Sequence, residues 1–260
     1  MLSKLIGYEM KAFGRILLPV YLAIVVVAVI LGFDFRLLPA SKGEVGTVIL
    51  TIVLGLLVMA VFLITIILSV GRFYTNLLGR EGYLMFSLPT GTGSLIWAKV
   101  ISSVIWSLFS VLVAAVSVTP FFVIPSFSKE LQEVGFGMIL SKVFEMAGPY
   151  TANIILGILI VIAGAVAAIV RIYAAISIGH LWSNHRIIGA VLAYIVFGIL
   201  ESIIMALLGE EIFWSRNYPD LFSAVGSIGA EGVVLAGCAA EVAIYGVITW
   251  LILDRKLNLE

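Results

Sequence analysis

From Thr47 to Val70 the chain carries no charged side chain, and five further stretches are nearly as apolar. A helix needs ~20 mainly apolar residues to cross the hydrocarbon of a bilayer. Six stretches meet that length: Ile16–Phe33, Thr47–Val70, Ala98–Ile124, Ala152–Ile178, Ile187–Leu208 and Val233–Leu253. The expected architecture is an all-α integral membrane protein of six transmembrane helices, forming one transmembrane domain over residues 1–260. Composition agrees: 62% of residues are hydrophobic and 12% charged, against ~25% charged in ordinary soluble proteins. A mean hydropathy of +1.22 leaves too little polar surface to cover a soluble domain. The formal net charge is zero, so no basic excess recommends nucleic acid as a partner.

Prolines and charges mark positions within these stretches. Pro19 falls in the first turn of the first, where a missing N–H is tolerated. Pro120 and Pro125 are expected to kink or stop the third. Three ionisable residues lie inside apolar runs: Arg171, Glu201 and Glu241. Such residues are costly in lipid and are functional candidates by default. Arg171 is expected to snorkel towards the nearer interface, and Glu201 to reach the other. Glu241 is nearest the middle of its span. The structural reading gives it a hydrogen bond to a neighbouring span's Ser, Thr or Tyr, or simple exposure to an outer cavity; the functional one is a proton relay or a contact with a cationic substrate. Small residues at Gly157, Ala163, Gly164, Ala167 and Ala168, and at Gly232 and Gly237, have spacings that suit close helix packing.

Lys and Arg in the flanking segments set orientation. With the N-terminus in the cytoplasm, the inner segments hold Lys4, Lys11, Arg15, Arg72, Arg80, Lys99, Arg171, Arg186, Arg255 and Lys256, and the outer ones Arg36, Lys42, Lys129, Lys142 and Arg216. Both termini are therefore expected to be cytoplasmic. The first fifteen residues read as an amphipathic interfacial helix: Leu2, Leu5, Ile6, Met10 and Phe13 share one face, and Lys4, Lys11 and Arg15 the other. Glu9 interrupts the apolar face, either as a helix-boundary residue that snorkels or pairs with a basic neighbour, or through a contact with another cytoplasmic segment.

The segment Gly71–Trp97 is a long loop rich in Phe, Tyr and Leu, with too little polarity for disorder. Glu81–Leu88 is expected to form a short helix, closed by the turn signal Pro89-Thr90-Gly91. Its apolar side chains need a surface, which is either the bilayer or a soluble partner; the residues alone leave both open.

The run GREGYLMFSLPTGTGSLIWAKVISSVIW resembles the loop between the second and third spans of ABC-2-type ABC transporter permeases of Gram-positive bacteria. That family shows an acidic-Gly-Tyr-Leu-aromatic-Thr/Ser-Leu-Pro pattern, then a Lys at the head of the next span. Glu81, Gly82, Tyr83, Leu84, Phe86, Ser87, Leu88, Pro89 and Lys99 fill those positions, with Met85 as an extra residue. The opening KLIGYEMKAFGRILLPVYLA, the stretch RIYAAISIGHLWSNHR and the terminal DRKLNLE are similar to the family as well. The resemblance implies an exporter permease with a coupling helix between spans 2 and 3, docking on a separate cytoplasmic ATPase that binds ATP and Mg. Arg80, Glu81, Tyr83, Leu84, Phe86, Ser87 and Leu88 are then the docking candidates. It also implies a second permease chain, identical or related, a bacterial cell membrane, and short re-entrant helices within Gly209–Gly232.

Chemistry of its own is not expected of this chain. The GxxxxGK[ST] run of a phosphate-binding loop is missing, as are HExxH and GxSxG. His180, His185 and Cys238 are too few for a zinc site, and one cysteine makes no internal disulfide. The competing functional class is a non-transporting six-span immunity, sensor or scaffold protein. An ATP-independent carrier is less favoured, because neither broken helices nor internal repeats are evident.

Overall fold

The computed structural model describes residues 2–37, 43–79, 82–87, 89–126, 145, 148, 151–182, 184–213 and 228–255. Among them no strand occurs. The elements are α1 (Leu2–Leu37), α2 (Gly43–Phe73), a π-helical turn (Tyr74–Leu78), α3 (Gly82–Phe86), α4 (Thr92–Ser126), α5 (Thr151–His180), α6 (Arg186–Phe213) and α7 (Ile228–Arg255). Six of them, all but the π-turn and α3, are long and apolar enough to cross a membrane. The chain is thus an all-α, multi-pass membrane protein. Helices satisfy every backbone N–H and C=O within the segment, which hydrocarbon demands. Their outer faces agree: Leu22, Leu56, Ile67, Ile187 and Leu207 are each at least 61% exposed, an apolar surface that water does not cover without penalty and lipid does.

The helices outrun the expected spans. α1 is continuous from Leu2, so residues 2–15 are not a separate interfacial helix but the first turns of the spanning one. Pro19 consequently sits inside α1 rather than in its first turn, and the Arg15 carbonyl loses its helical partner. Lys4, Lys11 and Arg15 are exposed as expected. Phe13, on the expected lipid face, is instead 1% exposed. Glu9 is buried, which excludes snorkelling. α4 begins at Thr92 and continues through Pro120 to Ser126, just past Pro125.

Contacts along the chain group into two compact units. One comprises Gly7–Leu68 and Ile105–Pro149. Its core gathers Phe13, Leu17, Tyr21 and Ile24 of α1, Val61 of α2 and Trp106 of α4. Gly14 lets α1 approach the Trp106 ring, where an added Cβ would lie 3.2 Å from Cζ2. A buried hydroxyl triad ties the same helices. The Tyr21 hydroxyl and Thr65 Oγ1 each lie 2.7 Å from Ser110 Oγ, and Ser110 Oγ donates to the Trp106 carbonyl at 3.0 Å. The Tyr21 hydroxyl also reaches the Trp106 carbonyl at 3.2 Å, and Thr65 Oγ1 donates to the Val61 carbonyl at 2.8 Å, so Ser110 joins hydroxyls of α1 and α2 to α4. Ser110→Ala is expected to lower stability by about 1 kcal/mol, the net value of a buried hydrogen bond. The fall in the thermal midpoint of the detergent-purified protein measures it, and Tyr21→Phe added to Ser110→Ala should cost less than the sum of the two single changes.

The second unit comprises Met1–Ile6, Ser69–Val104 and Tyr150–Glu260. Here α5 is the central helix, with α6 and α7 packed on it. Ala167, Val170, Tyr173, Ala174 and Ser177 form its buried face. A Cβ added at Gly157, Gly164, Gly232 or Gly237 would meet nothing within 4 Å among the described residues, so the close packing expected there is not made between them. It occurs instead at the α5–α6 hairpin, where Gly179 and Gly189 face each other.

Candidate functional site

Two groups in the second unit hold the sequence-derived candidates other than Glu9, Lys11 and Arg15. The first is the segment joining α2 to α4. It is not an open loop: α2 runs on to Phe73, tightens into the π-turn, reverses at Gly79 and forms α3 before α4 begins. Gly79 is required at the reversal, since a Cβ there would stand 2.7 Å from the Thr75 carbonyl oxygen. The Gly82 amide donates to the Gly79 carbonyl at 2.9 Å. At the other end the Ser87 amide donates to the Tyr83 carbonyl, and Ser87 Oγ to the Leu84 carbonyl at 2.8 Å. That serine closes α3 just ahead of Pro89, which cannot extend the helix.

The base of the segment is fixed. Phe73 stacks on Tyr173 of α5 with ring centroids 3.9 Å apart and an interplanar angle of 10°. The Tyr173 hydroxyl lies 2.8 Å from Ser103 Oγ on α4. Lys99 is 4% exposed and donates from Nζ to the Arg72 carbonyl at 3.3 Å. A cation at the C-terminal end of α2 answers the negative pole of the helix dipole. Leu77 and Leu78 are buried in the π-turn, and Tyr74 meets the His180 ring edge-on at 6.2 Å. The tip, by contrast, faces outward: Tyr83 is 73% and Leu84 68% exposed, Ser87 is exposed and Phe86 half-buried. Arg80, Glu81 and Leu88 lie outside the described residues, as does most of the segment Gly209–Gly232, including Trp214, Arg216 and Tyr218.

The second group is the set of charges within the spans. Arg171 of α5, expected to snorkel, and Glu201 of α6, expected to reach an interface, are turned towards each other. Nη1 of Arg171 forms a salt bridge with Oε2 of Glu201. Nη2 donates to the Tyr194 hydroxyl at 2.8 Å, and the guanidinium carbon stands 4.8 Å from the Tyr194 ring centroid. Glu201 Oε1 accepts from the Tyr245 hydroxyl of α7 at 2.7 Å, while the Tyr245 ring packs on Phe197 at 4.6 Å. Three helices are thereby linked through one ion pair and two phenols. A charge inside a membrane is tolerable when paired in this way. Glu241, one turn before Tyr245, is half-buried. The hydrogen bond expected for it goes instead from Tyr245 to Glu201.

Tyr194 and Tyr245 are not legible as site residues in the sequence, since a tyrosine in a span is ordinarily an interface or core residue. One signal exists for Tyr194: it and Arg171 lie at nearly equal separations from the Leu181–His185 turn, so an antiparallel hairpin brings them level. Among the described residues no three His, Cys, Asp or Glu side chains converge. Comparison of the chain with family models, with curated proteins and with solved structures finds no match.

Proposed function

We propose that the chain is the membrane-spanning permease subunit of an ABC exporter, coupled to ATP hydrolysis on a separate cytoplasmic ATPase. The observation that carries the reading is α3. A five-residue helix between two spans presents Tyr83 and Leu84 outward, on a base clamped by Phe73, Tyr173 and Lys99. Exposed aromatic and aliphatic anchors on a rigid support are what a protein groove recognises. The motif carrying them, Glu81 to Pro89, is the part of the sequence that resembles the coupling helix of ABC-2 permeases. Force applied at the tip would pass through the Phe73–Tyr173 stack into α5. In this reading the N- and C-termini and α3 face the cytoplasm of a bacterial cell, ATP and Mg stay on the partner, and two permease chains complete the path. Hydrophobic peptides, antimicrobials and lipid-like compounds are the substrate classes to assay first.

The test is recovery of an ATP-binding-cassette subunit with the tagged chain from its source membranes, read by mass spectrometry. Tyr83→Ala with Leu84→Asp is expected to lower recovery about tenfold or more, the loss of one or two anchor residues, at an unchanged amount of chain in the membrane. Recovery undiminished after deletion of residues 82–87 would overturn the docking role. Recovery of no such subunit with the unaltered chain would favour a non-transporting membrane protein.

A further inference from the structure

We propose that Glu241 of α7 is a second counter-ion for Arg171, so that the guanidinium exchanges between Glu201 and Glu241 as a two-state switch, independent of the transport reading. The cluster leaves two bonds unmade. Arg171 has N–H donors on three nitrogens. Nη1 is taken by Glu201 and Nη2 by Tyr194, while Nε is buried and has no partner among the described residues. Glu201 has both oxygens engaged, Oε2 by Arg171 and Oε1 by the Tyr245 hydroxyl. Glu241 makes neither a hydrogen bond nor an ion pair with any described residue. The cluster thus holds a spare donor and a spare carboxylate, and a buried polar group without a partner is the exception in a folded chain.

Placement brings the two together. α5 packs against both α6 and α7. Glu241 and Tyr245 lie one turn apart and share a face of α7. Tyr245 reaches Glu201 from that face, so Glu241 is turned towards the same pair. Its charge acts on both Arg171 and Glu201. The titratable groups that meet it are Arg171 of α5, Glu201 of α6, and Cys238 and Tyr245 of α7. Arg171 is the one cation of that set. Glu241 also lies near the middle of the spanning segment Glu231–Arg255, where pairing is what makes a carboxylate tolerable.

The exchange breaks one ion pair and makes another of the same chemistry, so the two states stay close in free energy. Tyr194 holds the guanidinium throughout. Its hydroxyl keeps Nη2 at 2.8 Å and its ring centroid stands 4.8 Å from the guanidinium carbon, which makes it the pivot. Tyr245 keeps its bond to Glu201 Oε1, so the carboxylate that Arg171 leaves retains a donor. Nε–H gives Glu241 a place on the planar fork that Glu201 does not use. By charge, α5 is tied to α6 in one state and to α7 in the other.

A comparison of two backgrounds decides the matter. The full chain is placed in phosphatidylcholine bicelles and unfolded with dodecyl sulfate. Glu241→Gln alone is expected to raise the unfolding constant no more than about twofold, because Arg171 stays with Glu201. Added to Glu201→Gln, the same substitution should raise it about tenfold, because Arg171 then loses its second partner. Magnetic resonance gives an independent readout, with isotope-labelled glutamate carboxyl carbons and arginine guanidinium nitrogens in the full chain in bilayers. Dipolar recoupling between Glu241 and Arg171 should be weak in the unaltered chain and strong in Glu201→Gln, with Glu241→Gln assigning the signal. Three results would each overturn the proposal: an equal effect of Glu241→Gln in both backgrounds, a gain of stability when it is added to Glu201→Gln, or no recoupling of Glu241 with Arg171 in Glu201→Gln. Should Glu201→Gln fail to fold, Glu201→Asp, whose carboxylate is drawn back from Arg171 by a methylene, takes its place in both measurements.

Discussion

Gly179→Ala is expected to be among the most damaging single-methyl additions this protein can receive. A Cβ at Gly179 would lie 2.3 Å from the Ala190 amide nitrogen, 2.6 Å from the Arg186 carbonyl oxygen and 2.7 Å from the Ala190 Cα. All three are backbone atoms, so no rotamer change relieves the clash. The hairpin must open, and the α5–α6 packing behind it must open too. Overpacking costs ~1–3 kcal/mol where side chains can yield; here the cost should be about 3 kcal/mol or more. The comparison that isolates the cause is Gly189→Ala, whose Cβ would meet the Gly179 Cα at 3.1 Å and the Trp182 ring at 3.2 Å. A ring can tilt, so this change should cost about half as much. Unfolding in mixed micelles, followed by helical circular dichroism, ranks the two. Equal stability of Gly179→Ala and the unaltered chain would mean that α5 and α6 do not meet as described.

That hairpin illustrates what the sequence conceals. Spans are legible because hydropathy is a local sum: a run such as Thr47–Val70 reads as membrane-crossing whatever its neighbours do. Which small residue touches another helix depends on rotation about the helix axis, and spacing alone does not fix rotation. Gly157 and Gly164 have a suitable spacing and face open space, whereas Gly179 lies at the end of α5, where hydropathy fades. Helix ends are obscured for a related reason. Thr92, Gly93 and Ser94 look like loop, and α4 nonetheless starts there, with Thr92 bonded to Asp254, far away in sequence. Periodicity turns Phe13 towards lipid, but it finds a face and not what covers it; Trp106 of α4 does so, stacked at 6.5 Å.

The α3 segment is the most legible part of the candidate site. Its turn signal, Pro89-Thr90-Gly91, acts through local backbone geometry, and Tyr83 and Leu84 stand out because apolar residues between spans need a partner. Its base is invisible in the sequence. Phe73, Lys99 and Tyr173 come from three helices; Phe73 reads as one loop aromatic among several, Lys99 as the basic residue at the head of a span and Tyr173 as an ordinary span residue, and nothing in the sequence says that they meet. The same holds for the charges. Arg171, Glu201 and Glu241 are each identifiable as anomalous in lipid, but the pairing of the first two requires knowing that α5 and α6 turn those faces together.

Breaking that pair is the second large effect expected. Arg171→Gln removes the cation and leaves Glu201 with only the Tyr245 hydroxyl, while Glu201→Gln leaves Arg171 with Tyr194 by bond and by ring. A lone charge at the centre of a spanning helix costs ~2.5–3.5 kcal/mol on insertion scales, and orphaning one member of a buried pair ~3–5 kcal/mol in soluble proteins. Side chains here are about one-fifth exposed (22% and 21%), which argues for the lower figures. Arg171→Gln should therefore cost about 3 kcal/mol. Glu201→Gln should cost about 2 kcal/mol, because a glutamine still accepts from Tyr245 and the Tyr194 face still holds the guanidinium. The double variant carries no orphaned charge between these two positions, so it should be more stable than Arg171→Gln alone, with a coupling of at least about 1 kcal/mol. Tyr245→Phe removes one neutral-to-charged hydrogen bond and should cost about 0.6 kcal/mol, the average found between membrane helices. Reversible unfolding in bicelles titrated with dodecyl sulfate measures all four. Strict additivity of Arg171→Gln and Glu201→Gln would show that the two side chains do not form a pair in the bilayer, and that each charge is solvated on its own.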